Sequence, residues 1–184
     1  DSFEETADRV TVHCLRRNGK PFAVSCRVLI AADGGTSGVV RQIDPDRYRK
    51  LAWYTALQES WDAPSGLEPG RFHFFAFPSI SLYPSAYVKD GRIVMEVVAP
   101  AKESAAAAMD RFRDFLRERI EMEHRGGPVT RLGCRVAYAA PRGLFCFGTR
   151  RVLVAGEASG LLNLFGEGIS SALASGQLAG EAAV

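Results

Sequence analysis

The sequence predicts an α/β fold with an α+β lobe inserted into it, and three observations carry that expectation. Two apolar runs, "VLIAA" at 28–32 and "RVLVA" at 151–155, lie near opposite ends of the chain and read as strands buried on both faces, as in a parallel sheet. Each ends in an acid beside a glycine: Asp33-Gly34 after the first, Gly156-Glu157 after the second. Between them lie an antiparallel meander and one long helix, the order expected of a layer interrupted by a lobe.

The elements follow in order. Residues 9–16, "RVTVHCLR", alternate apolar and polar and predict a strand with one exposed face. "RNGK" at 17–20 predicts a type I′ hairpin turn, because Asn-Gly tolerates positive φ. Residues 22–32 return as a single strand that becomes continuously apolar. In "DGGTSGVVRQ" at 33–42, Thr36 or Ser37 caps a short helix. Residues 51–61 are strand-like and 63–70 form a loop; 71–77, 80–88 and 92–98 then read as a meander with "KDGR" as its last turn. Pro84 assigns the middle run to a sheet edge or a bulge.

Residues 102–124 are the clearest helix, with a stripe of Phe112, Phe115, Leu116, Ile120 and Met122, and "RGGP" at 125–128 ends it. "VTRLGCRVAYA" and "GLFCFG" predict two short strands, and "RVLVAG" the second buried one. A last helix starts near Gly166, with Ile169, Leu173 and Leu178 apolar among small residues.

The length of 184 residues fits one domain, or one domain carrying an inserted lobe. A net charge of +2, with no Lys/Arg-dense face, argues against nucleic acid as a partner. The arginine clusters at 16–17, 111–119 and 150–151 read as solvated faces. Cys14, Cys26, Cys134 and Cys146 form no CxxC pair, and His13, His73 and His124 lack zinc-like spacing, so reduced thiols and no metal are expected. No apolar run approaches the roughly 18 residues of a membrane span, and no secretory signal opens the sequence, so a cytoplasmic location is expected. The first residue is Asp1 rather than Met, which suggests a piece of a longer chain.

Three motifs carry candidate chemistry. Asp33-Gly34 and Gly156-Glu157 would lie at the carboxyl ends of strands, where α/β sheets bind ligands, although Asp-Gly is equally a turn pair. Gly166-Glu167-Gly168, followed by Ile169, opens the last helix, where backbone N–H groups and the dipole favour negative charge; close helix–sheet packing explains the same glycines. The string GxGxxS at 166–171 does not directly follow a strand and is not read as a dinucleotide fingerprint. Trp53, Phe72, Phe74, Phe75, Phe77, Tyr83 and Tyr87 wall an apolar pocket or fill the core of a small sheet.

Together these stretches resemble the FAD-dependent oxidoreductases of the p-hydroxybenzoate-hydroxylase-like superfamily, most of all the geranylgeranyl-reductase branch. There a strand ends in "ADG" before a Ser/Arg-bearing helix, as in "AADGGTSGVVRQ" here. Later a strand ends in "GDAAG", followed by "PxxGEGI" and a helix with "A..SG..AA"; here the sequence reads "LVAGEASGLLNLFGEGISSALASGQLAGEA". The middle "SLYPSAYVKDG" resembles that branch's tyrosine-bearing P-K-D-G strand and turn. Glu157 stands where the family has Asp and Leu164 where it has Pro, and the GxGxxG unit that holds the adenosine diphosphate half of FAD is not within these residues.

The resemblance implies a discontinuous, partial FAD-binding layer at 1–43 and 144–184 and a substrate lobe at 44–143. It places Asp33 and Gly34 near the pyrophosphate, Gly156 and Glu157 at the ribityl or ribose region, and Gly166, Glu167, Gly168 and Ile169 at the flavin's pyrimidine edge. There the helix dipole would stabilise charge that develops on reduction. The flavin would carry the redox chemistry, so no side chain is assigned a catalytic role. The implied substrate is a small, apolar, isoprenoid or lipid-like molecule against Phe75, Tyr83 and Tyr87, with a membrane surface as a partner if it is a lipid. Activity is expected of the full-length enzyme and not of this stretch alone. Two alternatives stay open: a flavin monooxygenase or halogenase-like relative acting on an aromatic compound, and a non-enzymatic α/β binding module.

Overall fold

The computed structural model describes residues 2–77, 79–120, 122, 126–163 and 166–184; Leu164 and His124 lie outside them. The elements run β1 (Ser2–Glu5), β2 (Val10–Leu15), β3 (Pro21–Cys26), β4 (Leu29–Ala31), α1 (Gly38–Ile43), α2 (Arg47–Lys50), β5 (Ala52–Trp61), β6 (Phe72–Phe74), β7 (Ser85–Lys89), β8 (Arg92–Pro100), α3 (Ala105–Ile120), β9 (Thr130–Tyr138), β10 (Val152–Val154) and α4 (Ile169–Ala182). The result is a mixed α/β chain that divides into two compact units, Asp1–Ala52 with Ala137–Val184, and Trp53–Val136. The inserted unit is shorter at both ends than the expected 44–143.

The first unit holds an antiparallel sheet in the order β1-β2-β3 and a separate parallel pair, β4 with β10. The expected single strand over 22–32 is therefore two strands with a bend at Arg27. Its first half pairs antiparallel with β2 and its second half parallel with β10 in a separate sheet, and the chain bends between them. Arg151 bridges the bend: its guanidinium donates to the Arg27 and Ala7 carbonyls, and its own carbonyl accepts from Leu29 N at 2.9 Å. β4 is not buried on both faces either, since Ile30 is 39% exposed. Phe3, Val10 and Val152 form one small core, and Ala31, Val40, Val154 and Ala158 another. Residues 143–148 form no strand; a single bridge joins Gly148 to Leu153.

The two turns reverse the expected assignment. At Arg17–Gly19 only Gly19 is left-handed, at φ 78°, and Gly19 N donates to the Arg16 carbonyl, giving a three-residue loop in place of type I′. Asp90 and Gly91 take φ 52° and 76°, so the tight two-residue turn lies between β7 and β8.

The second unit is an antiparallel five-stranded sheet in the order β6-β7-β8-β5-β9. α3 covers one face. Its stripe of Met109, Phe112 and Leu116 is fully buried against Ala86, Ile93, Met95 and Val97, the 3.6-residue stripe of the helix meeting the alternate residues of the strands. Pro84 marks where β7 begins, and β7 is an interior strand rather than an edge. Proline cannot donate to the ladder, and just before the first paired residue it has no bond to lose.

One carboxylate is buried on this α3-facing side. Glu59, 2% exposed, accepts from the Trp61 indole at 3.0 Å and pairs with Arg131 at 3.2 Å and Arg113 at 3.7 Å. Burying a charge is costly unless it is compensated, and removing one partner leaves the others exposed to that cost. We expect Glu59→Ala to lower the stability of the chain by ~3 kcal/mol in urea unfolding; a loss under ~1 kcal/mol would mean that the two arginines do not depend on it.

Candidate functional site

The candidate site is built where β4 and β10 end. Their register pairs Val152 with Leu29, Leu153 with Ile30 and Val154 with Ala31, and Ala155 N donates to the Ala31 carbonyl at 2.9 Å. Parallel pairing puts both carboxyl ends on the same side, so the segments after Ala31 and after Val154 emerge as neighbours. The contact between them is close: a Cβ on Gly35 would lie 2.4 Å from Glu157 Oε1 and 2.9 Å from its carboxyl carbon. A side chain at position 35 would push the Glu157 carboxylate from its place.

The turn is held by its own polar groups. Asp33 Oδ2 accepts from Gly38 N at 2.9 Å, and Ser37 Oγ from Val40 N at 2.9 Å, so Ser37 is the α1 cap. The Tyr48 hydroxyl shares its proton between the carbonyls of Ser37 at 2.8 Å and Gly35 at 3.2 Å. Burial pushes the Tyr48 phenol above its ordinary range, against the pull of the Arg41 and Arg47 charges, so it stays a neutral donor.

On the opposite side of the turn, Gly156 is left-handed at φ 64°, and its N–H donates to Ser175 Oγ at 2.9 Å. A Cβ there would meet Ala172 Cβ at 3.3 Å, so α4 packs tightly against the end of β10. Glu157 is half-buried, and its Oε1 is buried with no hydrogen-bond partner among the described residues. A buried acceptor without a donor is unusual and calls for an occupant.

The start of α4 is occupied differently. Gly166 turns the chain at φ 78°, and Asn163 and the 166–167 segment exchange three bonds of 3.0–3.1 Å. The Glu167 carboxylate accepts from Ser170 N at 2.8 Å and from Ser170 Oγ at 2.7 Å. Part of the positive end of α4 is thus met by the chain's own acid. A Cβ on Gly168 would press Leu162 Cδ1 at 3.0 Å, while Ile169 is 74% exposed.

The structure therefore brings Gly35, next to the predicted Asp33-Gly34 pair, onto Glu157, and Gly156 onto the helix that Gly166–Ile169 opens; Asp33 turns to the Gly38 amide, and a Cβ on Gly34 would meet open space. The candidate substrate residues are not on one wall. Phe75 packs edge-on against Phe112 and Phe115 of α3, at 5.4 and 5.5 Å, whereas Tyr87 stacks on Phe72 at 4.8 Å on the opposite sheet face. Tyr83 lies just before β7. Gly35, Tyr48, Asn163 and Ser175 were not singled out by the sequence. The Gly-Gly doublet is a signal for the first; the other three act through tertiary contacts that leave no local pattern.

No protein-family model and no curated protein matches the sequence. Solved structures do match. A geranylgeranyl bacteriochlorophyll reductase-like protein from Thermoplasma acidophilum aligns over 98% of this chain and 47% of its own, with TM-score 0.77 and 18% identity. Aklavinone-11 hydroxylase, solved with FAD and aklavinone, aligns over 99% and 36% with TM-score 0.63 and 16% identity. The flavin-dependent halogenase CmlS aligns over 96% and 33% with TM-score 0.61 and 17% identity. The chain has the fold of part of the FAD-dependent oxidoreductases and spans between a third and a half of those proteins.

The Glu167 contacts generate a pH dependence. The Ser170 hydroxyl and then the Ser170 amide hold the Glu167 carboxyl below its ordinary 4.5. A carboxyl whose folded pKa is depressed adds stability above its unfolded pKa and loses it as pH falls through the folded one. The Glu167 carboxyl carbon should accordingly titrate below 4.5 by NMR, with the Ser170 amide shift following it. A midpoint at or above 4.5 would contradict the capping.

Proposed function

We propose that this chain is part of an FAD-dependent oxidoreductase, and within that class a reductase of an isoprenoid or lipid-like substrate. The observation that carries the reading is the 33–35 turn seated on Glu157, whose buried Oε1 has no donor among the described residues. The residues fit the cofactor at this point. A carboxylate at a strand's end, approached by glycine backbone, is an acceptor for a ribityl or ribose hydroxyl. Bound flavin supplies the transfer of electrons. Glu157 fixes a hydroxyl, Asp33 and Gly34 border the pyrophosphate side, and the Gly166–Ile169 turn faces the ring edge. Glu167 keeps its Ser170 contacts in this reading, so the amides left to the ring edge are those of neighbouring residues.

The choice of a reductase rests on the "SLYPSAYVKDG" likeness, and it is supported by the tight Asp90-Gly91 turn that this likeness requires. The inserted unit is the substrate lobe. The substrate is small and apolar, a membrane surface is its source if it is a lipid, nucleic acid is no partner, and the protein works in the cytoplasm.

The test is flavin content. The intact protein, purified and incubated with excess FAD, should carry flavin absorbance that survives gel filtration. Glu157→Leu should lower FAD affinity by about tenfold, the loss of one hydrogen bond to a charged group. An intact protein that holds no flavin under these conditions would overturn the reading.

A further inference from the structure

The five-stranded sheet carries two carboxylates on opposite faces, and the chain treats them differently. Glu59, on the face under α3, is neutralised by Arg113 and Arg131. Glu96, on the other face, is held by neutral donors alone among the described residues. Gln58 Nε2 donates to its Oε1, and Ser85 Oγ to its Oε2 at 3.2 Å. Among the described residues no cation pairs with it. Each carboxylate oxygen accepts two hydrogen bonds, so each keeps one free position in a fixed orientation.

The register sets what stands beside this charge. Phe74, Ser85, Glu96 and Gln58 form one row across β6, β7, β8 and β5, and Phe72, Tyr87 and Val94 form part of the next. All point away from α3, because they alternate with the residues buried beneath it. Phe72 stacks on Tyr87 at 4.8 Å and lies 4.8 Å from Phe74, yet Phe72 and Phe74 remain 49% and 56% exposed. Burial first and then the Glu96 charge push the Tyr87 phenol upward, so the field of the carboxylate reaches the aromatic cluster. With strands about 4.8 Å apart, Phe74 and Glu96 are about 10 Å from each other.

We propose that this face binds a molecule with an apolar or aromatic body, seated on Phe72, Phe74 and Tyr87, and a protonated amine that pairs with Glu96. The inference rests on the reading of this unit as a substrate lobe and adds a cationic group to the apolar body given there. The amine supplies the cation that Glu59 obtains from arginine and Glu96 lacks. Gln58 and Ser85 hold the carboxylate in position, so the ligand does not have to order it on arrival. The contact is a charge-assisted hydrogen bond flanked by apolar surface.

Calorimetry with three probes of equal length tests this on the intact protein: phenylbutylamine, phenylbutanol and phenylbutyrate. The amine should bind at least about tenfold more tightly than the alcohol, the margin of a cationic over a neutral donor to the same carboxylate, and the acid should bind most weakly. Glu96→Gln should weaken the amine far more than the alcohol and erase most of the difference between them. Phe72→Ala should weaken both together. Equal affinity for amine and alcohol, no amine binding, or an amine preference that survives Glu96→Gln would each overturn the proposal. The three-probe comparison on the unaltered protein needs no variant to fold. Flavin content is measured on the same sample: flavin without an amine preference sinks this inference alone, and an amine preference without flavin sinks only the redox reading.

Discussion

The parallel pairing of β4 with β10 is the contact on which the candidate site depends. It joins three residues near the start of the chain to three near its end, and the ordering of a long intervening segment is the entropic cost of that closure. The inserted unit offsets part of the cost by folding around its own core, the α3 stripe on the five-stranded sheet. Once the pair is formed, the chirality and direction of the strands leave little freedom. The 33–35 turn and Glu157 must emerge side by side, and Gly35 lets them touch.

Around that contact the acids take distinct roles. Asp33 is occupied by the Gly38 amide and Glu167 by the start of α4, so both act as local caps. Glu59 is neutralised within the sheet's covered face. Glu157 Oε1 is buried and has no donor among the described residues. Orphaned buried acceptors of this kind recur at functional sites.

Much of this was legible in the sequence. The terminal strand pair, the Ser37 cap, the meander and the long amphipathic helix follow from period and capping alone, because those signals are local. The breaks came where local signals meet tertiary demands. One apolar run over 22–32 looks like one strand, but it serves two sheets with opposite pairing directions. Asn18-Gly19 has the composition of a type I′ turn, yet the register of β2 against β3 closes a three-residue loop. Phe75 and Tyr87 look alike on an aromatic list and lie on opposite faces, because Tyr87 shares a face with its partner Phe72 and with Phe74, and Phe75 is one residue further along. Tyr48, which pins the turn through two carbonyls, had no signal at all, since its partners are more than ten positions away in sequence.

The seating of the 33–35 turn on Glu157 is most directly measured by a double-mutant cycle in urea unfolding. Gly35→Ala inserts a methyl group where the carboxylate lies, and Glu157→Ala removes that carboxylate. If the two touch as described, Gly35→Ala costs clearly less in the Glu157→Ala background, with a coupling of about 1 kcal/mol or more. If the two substitutions add to within about 0.4 kcal/mol, as independent sites do, the strand ends do not converge and the site described here does not exist.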